Sequence, residues 1–214
     1  MIRRRHRALP ADIGNHAGDA NGLRPDLALI ADWTPRGARV LDLACGHGEL
    51  LHHLQSTKAC LGYGVEIDDA AVLACVRRGV SVIQRDIEDG LDMFKRSTFD
   101  VVVLSMAIQA THRTEYVLRE MADVGRECVV SFPNFGHWFH AWSLMRGRMP
   151  VSREMPYQWF DTPNLHLATV LDFEDFLRDN GMVITARAYF TDGRPILRLP
   201  LYRATQAVYR FRRR

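Results

Sequence analysis

No run in this sequence approaches the eighteen or so consecutive apolar residues that a membrane-spanning helix needs. Its start carries Arg3, Arg4, Arg5 and Arg7 but lacks the apolar stretch that follows in a secretory signal. The segment as far as Gly22 has no amphipathic pattern of the transit-peptide kind, so residues 1–22 read as a disordered basic leader. Low-complexity tracts are absent, and nothing repeats at the period of a solenoid. Cysteine is scarce: the four, Cys45, Cys60, Cys75 and Cys128, stand far apart, each in an apolar segment. Such spacing gives neither a zinc knuckle nor a disulfide framework. The expectation is buried, reduced thiols in a cytoplasmic protein.

Acidic residues are missing from both ends. Nine of the 28 basic residues lie there, at Arg3, Arg4, Arg5, Arg7, Arg203, Arg210, Arg212, Arg213 and Arg214. The rest of the chain sets 19 basic residues against all 25 acids, a net of −6. A nucleic-acid binder carries basic charge on its folded surface as well, so nucleic acid is disfavoured as a partner. Residues 203–214 read as a solvated basic tail, and residues 23–202 as one domain. At 214 residues and 47% hydrophobic content, the chain can bury one substantial core.

What is present is an alternation. Leu27, Ile30 and Ala31 share a helical face within 23–33, and Pro35 ends it. Strands are expected at 39–43, 61–67, 80–83, 99–105 and 128–132, with helices at 49–54, 69–78 and 113–124 between them. The fourth strand, FDVVVLS, is nearly all apolar, as a strand covered on both faces should be. Strands and helices at this spacing imply an α/β fold with a doubly wound, mostly parallel sheet. Beyond Pro133 the alternation lapses. A helix at 172–180 and a strand at 182–190 follow, and the stretch after Pro195 has room for one more short strand.

The chemistry concentrates in VLDLACGHGELL (40–51), where a strand delivers Asp42 and a glycine turn opens a helix. Gly46 and Gly48 let backbone approach a ligand without Cβ obstruction. In a doubly wound sheet this turn lies at the carboxyl ends of the strands, where ligands bind. Glu66 ends the second strand twenty residues after Gly46, placed to accept hydrogen bonds from ribose hydroxyls. A NAD site would share that acid, but its fingerprint G-x-G-x-x-G needs a third glycine where this chain has Leu51. There is no GKS or GKT for a nucleoside triphosphate. Asp86 follows the third strand, where an acid can accept from an adenine amino group.

DxAxGxG, a strand-end glutamate and a strand-end Asp-Ile, in this order, resemble class I S-adenosylmethionine (SAM)-dependent methyltransferases. That likeness implies a Rossmann-like SAM-methyltransferase fold holding SAM or S-adenosylhomocysteine. The expected cofactor-binding residues are Asp42, Ala44, Gly46, Gly48, Glu66, Ile67, Asp86, Ile87 and Ser105. Four further stretches, LRPDLALIADW (23–33), GYGVEID (62–68), SFPNFGHW (131–138) and MPYQWFDTPNLH (155–166), resemble the methionine biosynthesis protein MetW family over residues 23–190. The resemblance implies a role as partner or activating subunit of MetX, the homoserine O-acyltransferase. The family's own methyl transfer is unestablished. Its members usually read DLGCGDGEL where this chain reads DLACGHGEL, so Ala44 replaces glycine and His47 replaces aspartate. Ala44 is tolerated there if its φ is negative. His47 removes a negative charge beside the cofactor's cationic region.

Methyl transfer to oxygen or nitrogen often needs a base or a polar clamp, and the fourth strand's end, LSMAIQAT (104–111), has no Asn-Pro-Pro-Tyr clamp. Ser105, Gln109 and His112 are the polar candidates, each with an ordinary reading as a cap or loop contact. His137 and His140, three apart, could face one ligand, but no acid or cysteine joins them, so no metal is expected. Phe135, Trp138, Phe139, Trp142 and Met145 form a stripe at helical spacing, open to reading as core or as interaction surface. A free-standing small-molecule methyltransferase is the alternative function.

Overall fold

The computed structural model describes residues 22–214, so the leader expected at 1–22 lies almost wholly outside the described residues. The order is α1 (Pro25–Trp33), β1 (Arg39–Leu43), α2 (Glu49–Lys58), β2 (Leu61–Glu66), α3 (Asp69–Arg77), β3 (Val82–Gln84) and β4 (Phe99–Ser105). Then come α4 (Thr114–Val124), β5 (Gly125–Pro133), α5 (Trp138–Met145), α6 (Val170–Asp179), β6 (Met182–Thr191), β7 (Arg194–Pro195), α7 (Pro200–Arg203) and β8 (Gln206–Arg213). They build one eight-stranded sheet in the order β3-β2-β1-β4-β5-β8-β6-β7. β1 to β5 pair in parallel, and β8, β6 and β7 extend the sheet antiparallel. This is the α/β, class I SAM-methyltransferase architecture that the sequence implies.

Alternation along each strand sorts side chains to two cores. In β4, Val102 and Leu104 join a layer with α4 (Val117, Leu118, Met121) and α6 (Val170, Phe173, Leu177). Val101 and Val103 face the opposite layer, with Leu27 and Ile30 of α1, Leu50, Leu51 and Leu54 of α2, and Cys75 of α3. Helix ends are set locally. Asp68 accepts from the Ala71 amide to start α3, and Thr169 with Asp172 closes a capping box on α6. Lys58 donates to the carbonyls of Ala31 and Thr34 (2.5 and 2.7 Å), which fixes the C-terminal end of α1. Both sheet edges are short strands, three residues at β3 and two at β7, the latter holding Pro195.

The carboxyl-terminal segment overturns the sequence reading. Residues 203–214 are not a solvated tail: β8 lies inside the sheet, antiparallel to β5 on one side and β6 on the other. Ala207, Val208, Tyr209 and Phe211 are fully buried. Two of the five arginines that suggested solvation are paired. Arg210 meets Glu127 at 3.1 Å, and Arg213 bridges to Asp123. No helix among the described residues is long and apolar enough to cross a membrane.

Candidate cofactor site

β1 ends in the turn that opens α2. Ala44, Gly46 and Gly48 all have positive φ, at 51°, 54° and 75°. Two of these positions hold the residue best suited to that region. Ala44 does not, and the negative φ on which its easy tolerance depended is absent. A Cβ at Gly48 would also stand 2.9 Å from the Cys75 sulfur, so that glycine is needed for space as well as for φ. Leu43 registers with Val65, which brings Glu66 alongside the turn.

Glu66 organises this corner. Its Oε2 accepts from the Gly46 amide at 2.8 Å, and its Oε1 accepts from the amides of Ile67 and Asp68 at 2.8 and 3.0 Å. A carboxylate offers about four acceptor sites, so about one remains. Beside it, Ile67 presents an apolar side chain that is 39% exposed. Asp86 follows β3, and its Oδ1 accepts from the Glu88 amide at 2.8 Å, capping the short 3₁₀ turn Ile87–Asp89. Ile87 itself leans against the α4-side core.

Asp42 is 4% exposed, and no hydrogen bond among the described residues reaches its carboxyl. Burial pushes its pKa up to about 8. Arg24 opposes that shift, while Cys75, Glu66 and Asp26 add to it. Arg24 is held by Asp26 through two nitrogens (3.1 and 3.2 Å) and donates to Ser105 Oγ at 2.6 Å. Ser105 and Ser131 both donate to Asp26 Oδ2, at 2.7 and 2.8 Å. Burial alone would raise the Asp26 pKa, but Arg24 and the two hydroxyls outweigh it and hold the carboxyl below its usual range. The network pins the start of α1 to the ends of β4 and β5. Ser105, expected as a cofactor contact, is thus a member of this network. Arg24, Asp26 and Ser131 were not singled out from the sequence, although two of them lie in the quoted stretch 23–33. An acid in the first turn of an apolar helix was the available signal, and it reads equally as an ordinary helix-end charge.

The acceptor side is less defined. Gln109 is 6% exposed and donates to the Met106 carbonyl at 2.8 Å, while its Oε1 is buried without a partner among the described residues. The His112 amide donates to Glu88 Oε1. His140 is buried, with Nδ1 3.2 Å from the Phe135 carbonyl, and burial lowers its pKa. Among the described residues no group of three or more His, Cys, Asp or Glu could hold a metal ion. The aromatic stripe is mostly surface: of α5 only His140 is buried, and Trp138, Trp142 and Met145 are 57%, 51% and 74% exposed.

A family model described as "Methionine biosynthesis protein MetW" matches residues 24–210. A bifunctional methionine biosynthesis protein MetXA/MetW of Rhodopirellula baltica is 33% identical over 195 residues, covering 86% of this chain. The chain spans only 30% of that relative's length. An S-adenosylmethionine-dependent methyltransferase from Mesorhizobium loti superposes with a TM-score of 0.66 at 19% identity, covering 88% of this chain and 98% of the other. Magnesium protoporphyrin IX methyltransferase (ChlM) from Synechocystis PCC 6803, with bound SAH, gives 0.61 at 18% identity, over 88% and 80%. At these identities the structural likeness is one of fold.

Proposed function

Since this chain belongs to the MetW family of methionine biosynthesis, we propose that it binds SAM or S-adenosylhomocysteine and serves a homoserine O-acyltransferase (MetX) as partner or activating subunit. The observation that carries the partner half is the bifunctional relative whose name joins MetXA to MetW. A function that is fused in one protein is commonly met by association in another. The cofactor half rests on the site. Gly46 and Gly48 open the backbone to a ligand, and Glu66 keeps acceptor capacity for a ribose hydroxyl. Asp42 is a buried carboxyl that a cationic ligand would ionise. Ile67 and Ile87 would flank the base, and Asp86 would meet its amino group. These residues fit the group.

When bound, SAM supplies a methyl group on a cationic sulfonium. The chain's own residues bind and orient. Glu66 would hold both the turn and the ribose, and the Arg24–Asp26–Ser105–Ser131 network would keep the strand ends in place. Neither Ser105 nor Gln109 at the end of β4 is set up as a strong base, because Ser105 is held in the network and Gln109 is an amide. A signalling or scaffolding use of the cofactor suits that better than rapid methyl transfer. The alternative, a free-standing small-molecule methyltransferase, is favoured by the cofactor motifs alone. The docking face would be the exposed aromatic surface of Trp138, Trp142, Trp159 and Phe160, the last two 73% and 69% exposed. We place this activity in the cytoplasm.

The test is co-purification with the cognate acyltransferase, and assay of that enzyme with and without this chain. Capture with altered acyltransferase activity supports the proposal. No association, together with methyl transfer to a small acceptor, would install the alternative.

A further inference from the structure

Two cysteines thirty residues apart in sequence meet at the glycine turn. Cys45 Sγ lies 3.8 Å from Cys75 Sγ, within thiol hydrogen-bond reach. Cys45 is part of the turn and half-buried, while Cys75 comes from α3 and is buried. Two glycines make their room. A Cβ at Gly64 would collide with the Cys45 sulfur, and one at Gly48 would stand 2.9 Å from the Cys75 sulfur. The Cys75 thiol also donates to the Gly46 carbonyl at 3.2 Å. The Gly46 peptide is therefore held at both ends, its N–H by Glu66 and its carbonyl by Cys75.

We propose that Cys45 and Cys75 are a reversible dithiol–disulfide pair, oxidised by hydrogen peroxide, whose state sets the shape of the cofactor turn. The link to cofactor binding rests on the function proposed above; the pairing itself does not. The hydrogen bond from Cys45 draws the Cys75 thiol below its ordinary pKa against the effect of burial, and local opening of the glycine turn, which uncovers this fully buried sulfur, lets its thiolate react first. Its thiolate attacks the peroxide, the O–O bond breaks, and Cys75 becomes a sulfenic acid as the first water leaves. Cys45 then attacks that sulfur, the S–S bond forms, and the hydroxyl departs with the Cys45 proton as the second water. Two thiols give up two electrons and two protons, and the peroxide becomes two waters. A small dithiol reverses the reaction by exchange.

Closing the bond brings the sulfurs from 3.8 Å to about 2.05 Å. That drags Cys45, between Ala44 and Gly46, toward α3. It also removes the S–H that holds the Gly46 carbonyl. Both changes act on the segment the ligand would touch. Cys60 and Cys128 are buried and lie apart from this corner, Cys60 donating to the Pro35 carbonyl and Cys128 sitting in the α4-side core.

The experiment titrates the full chain with hydrogen peroxide, alkylates remaining thiols under denaturing conditions and maps cross-linked peptides by mass spectrometry. Amide hydrogen exchange over 44–48 and calorimetry with S-adenosylhomocysteine follow on both forms. The expected result is one Cys45–Cys75 cross-link with Cys60 and Cys128 still alkylated, and faster exchange in the turn. S-adenosylhomocysteine affinity should fall by about tenfold, as loss of one well-placed contact would give, and dithiothreitol should restore it. Cys75→Ser should make exchange and affinity indifferent to peroxide. No cross-link, oxidation of both sulfurs to higher acids, or a cross-link that leaves turn exchange unchanged would overturn the proposal. A reduced protein that does not bind S-adenosylhomocysteine would instead sink the cofactor proposal, with the cross-link and exchange still deciding this one.

Discussion

The Gly46 amide donates to the Glu66 carboxylate across 2.8 Å, so the acid at the end of β2 holds the glycine turn of β1 before any ligand arrives. Removing it should therefore do two things. Glu66→Ala should weaken S-adenosylhomocysteine binding by on the order of 1.5–3 kcal/mol, the range for a lost charge-assisted hydrogen-bond pair. It should also lower the melting temperature, because three backbone amides lose their acceptor. Glu66→Gln, which keeps one acceptor oxygen, should fall between. Calorimetry and a melt on both variants check this, and unchanged affinity in Glu66→Ala would remove Glu66 from the site.

Ala44 sits at φ +51°, in a region where a Cβ costs energy. Ala44→Gly should stabilise the protein by roughly 0.5–1 kcal/mol, since relief of left-handed strain exceeds the chain entropy that glycine adds to the unfolded state. A denaturant melt measures it. A destabilised variant would mean that the methyl makes packing contacts worth more than the strain.

How far each part was legible follows from where its determinants lie. β1, β2, β4 and β5 are apolar runs, and the turn between β1 and α2 is written in adjacent residues, so both could be read locally. β8 was missed because QAVYRFRR carries its explanation elsewhere: Arg210 and Arg213 are neutralised by Glu127 on β5 and Asp123 on α4, which no local window contains. The Arg24–Asp26–Ser105–Ser131 network and the Cys45–Cys75 contact are long-range in the same way. The stripe at 135–145 could be read as helical but not as exposed, because periodicity fixes a face and not what covers it.

Truncation after Thr205 should abolish the cooperative thermal transition. It deletes a strand paired on both sides, along with fully buried Tyr209 and Phe211. Removing either aromatic alone costs about 3–5 kcal/mol in typical cores, comparable with a domain's whole stability. Circular dichroism melting decides it, and a truncated chain with a sharp transition would show that β5 and β6 can close the sheet alone.

Asp42 gives the protein a pH signature. Its pKa is about 8 in the fold against 3.8 for the unreacted side chain, so the folded state keeps a proton that the unfolded state releases in between. Its stabilising contribution is complete below about pH 4 and is lost as pH rises toward 8, with a slope of at most about 1.4 kcal/mol per pH unit. Asp42→Asn cannot ionise. The melting temperature of the ligand-free variant should gain on the parent protein across that window and then level off. A cationic ligand should expel the proton, so calorimetric binding enthalpies near pH 7 should vary with buffer ionisation enthalpy in the parent and not in the variant. A constant difference between the two melting curves would show that Asp42 is already ionised in the fold.

The aromatic surface is the part of this chain that the cofactor site does not explain. Trp142 and Trp159 are 51% and 73% exposed, so replacing them with alanine removes little internal packing, and both variants should fold with near-parental melting temperatures. At a protein interface each such anchor contributes on the order of 2 kcal/mol, so each loss should cut acyltransferase capture by roughly thirtyfold in affinity. S-adenosylhomocysteine binding should stay at parental strength, because Trp159 packs edge-on against Phe160 and no hydrogen bond or ring contact among the described residues joins it or Trp142 to the ligand turn at 44–48. If this segment were a substrate cover instead, the same variants would change methyl transfer and leave capture intact. Pull-down, acyltransferase stimulation and calorimetry on the two variants separate the readings, and intact capture with intact stimulation in both would remove this surface from the partner interface.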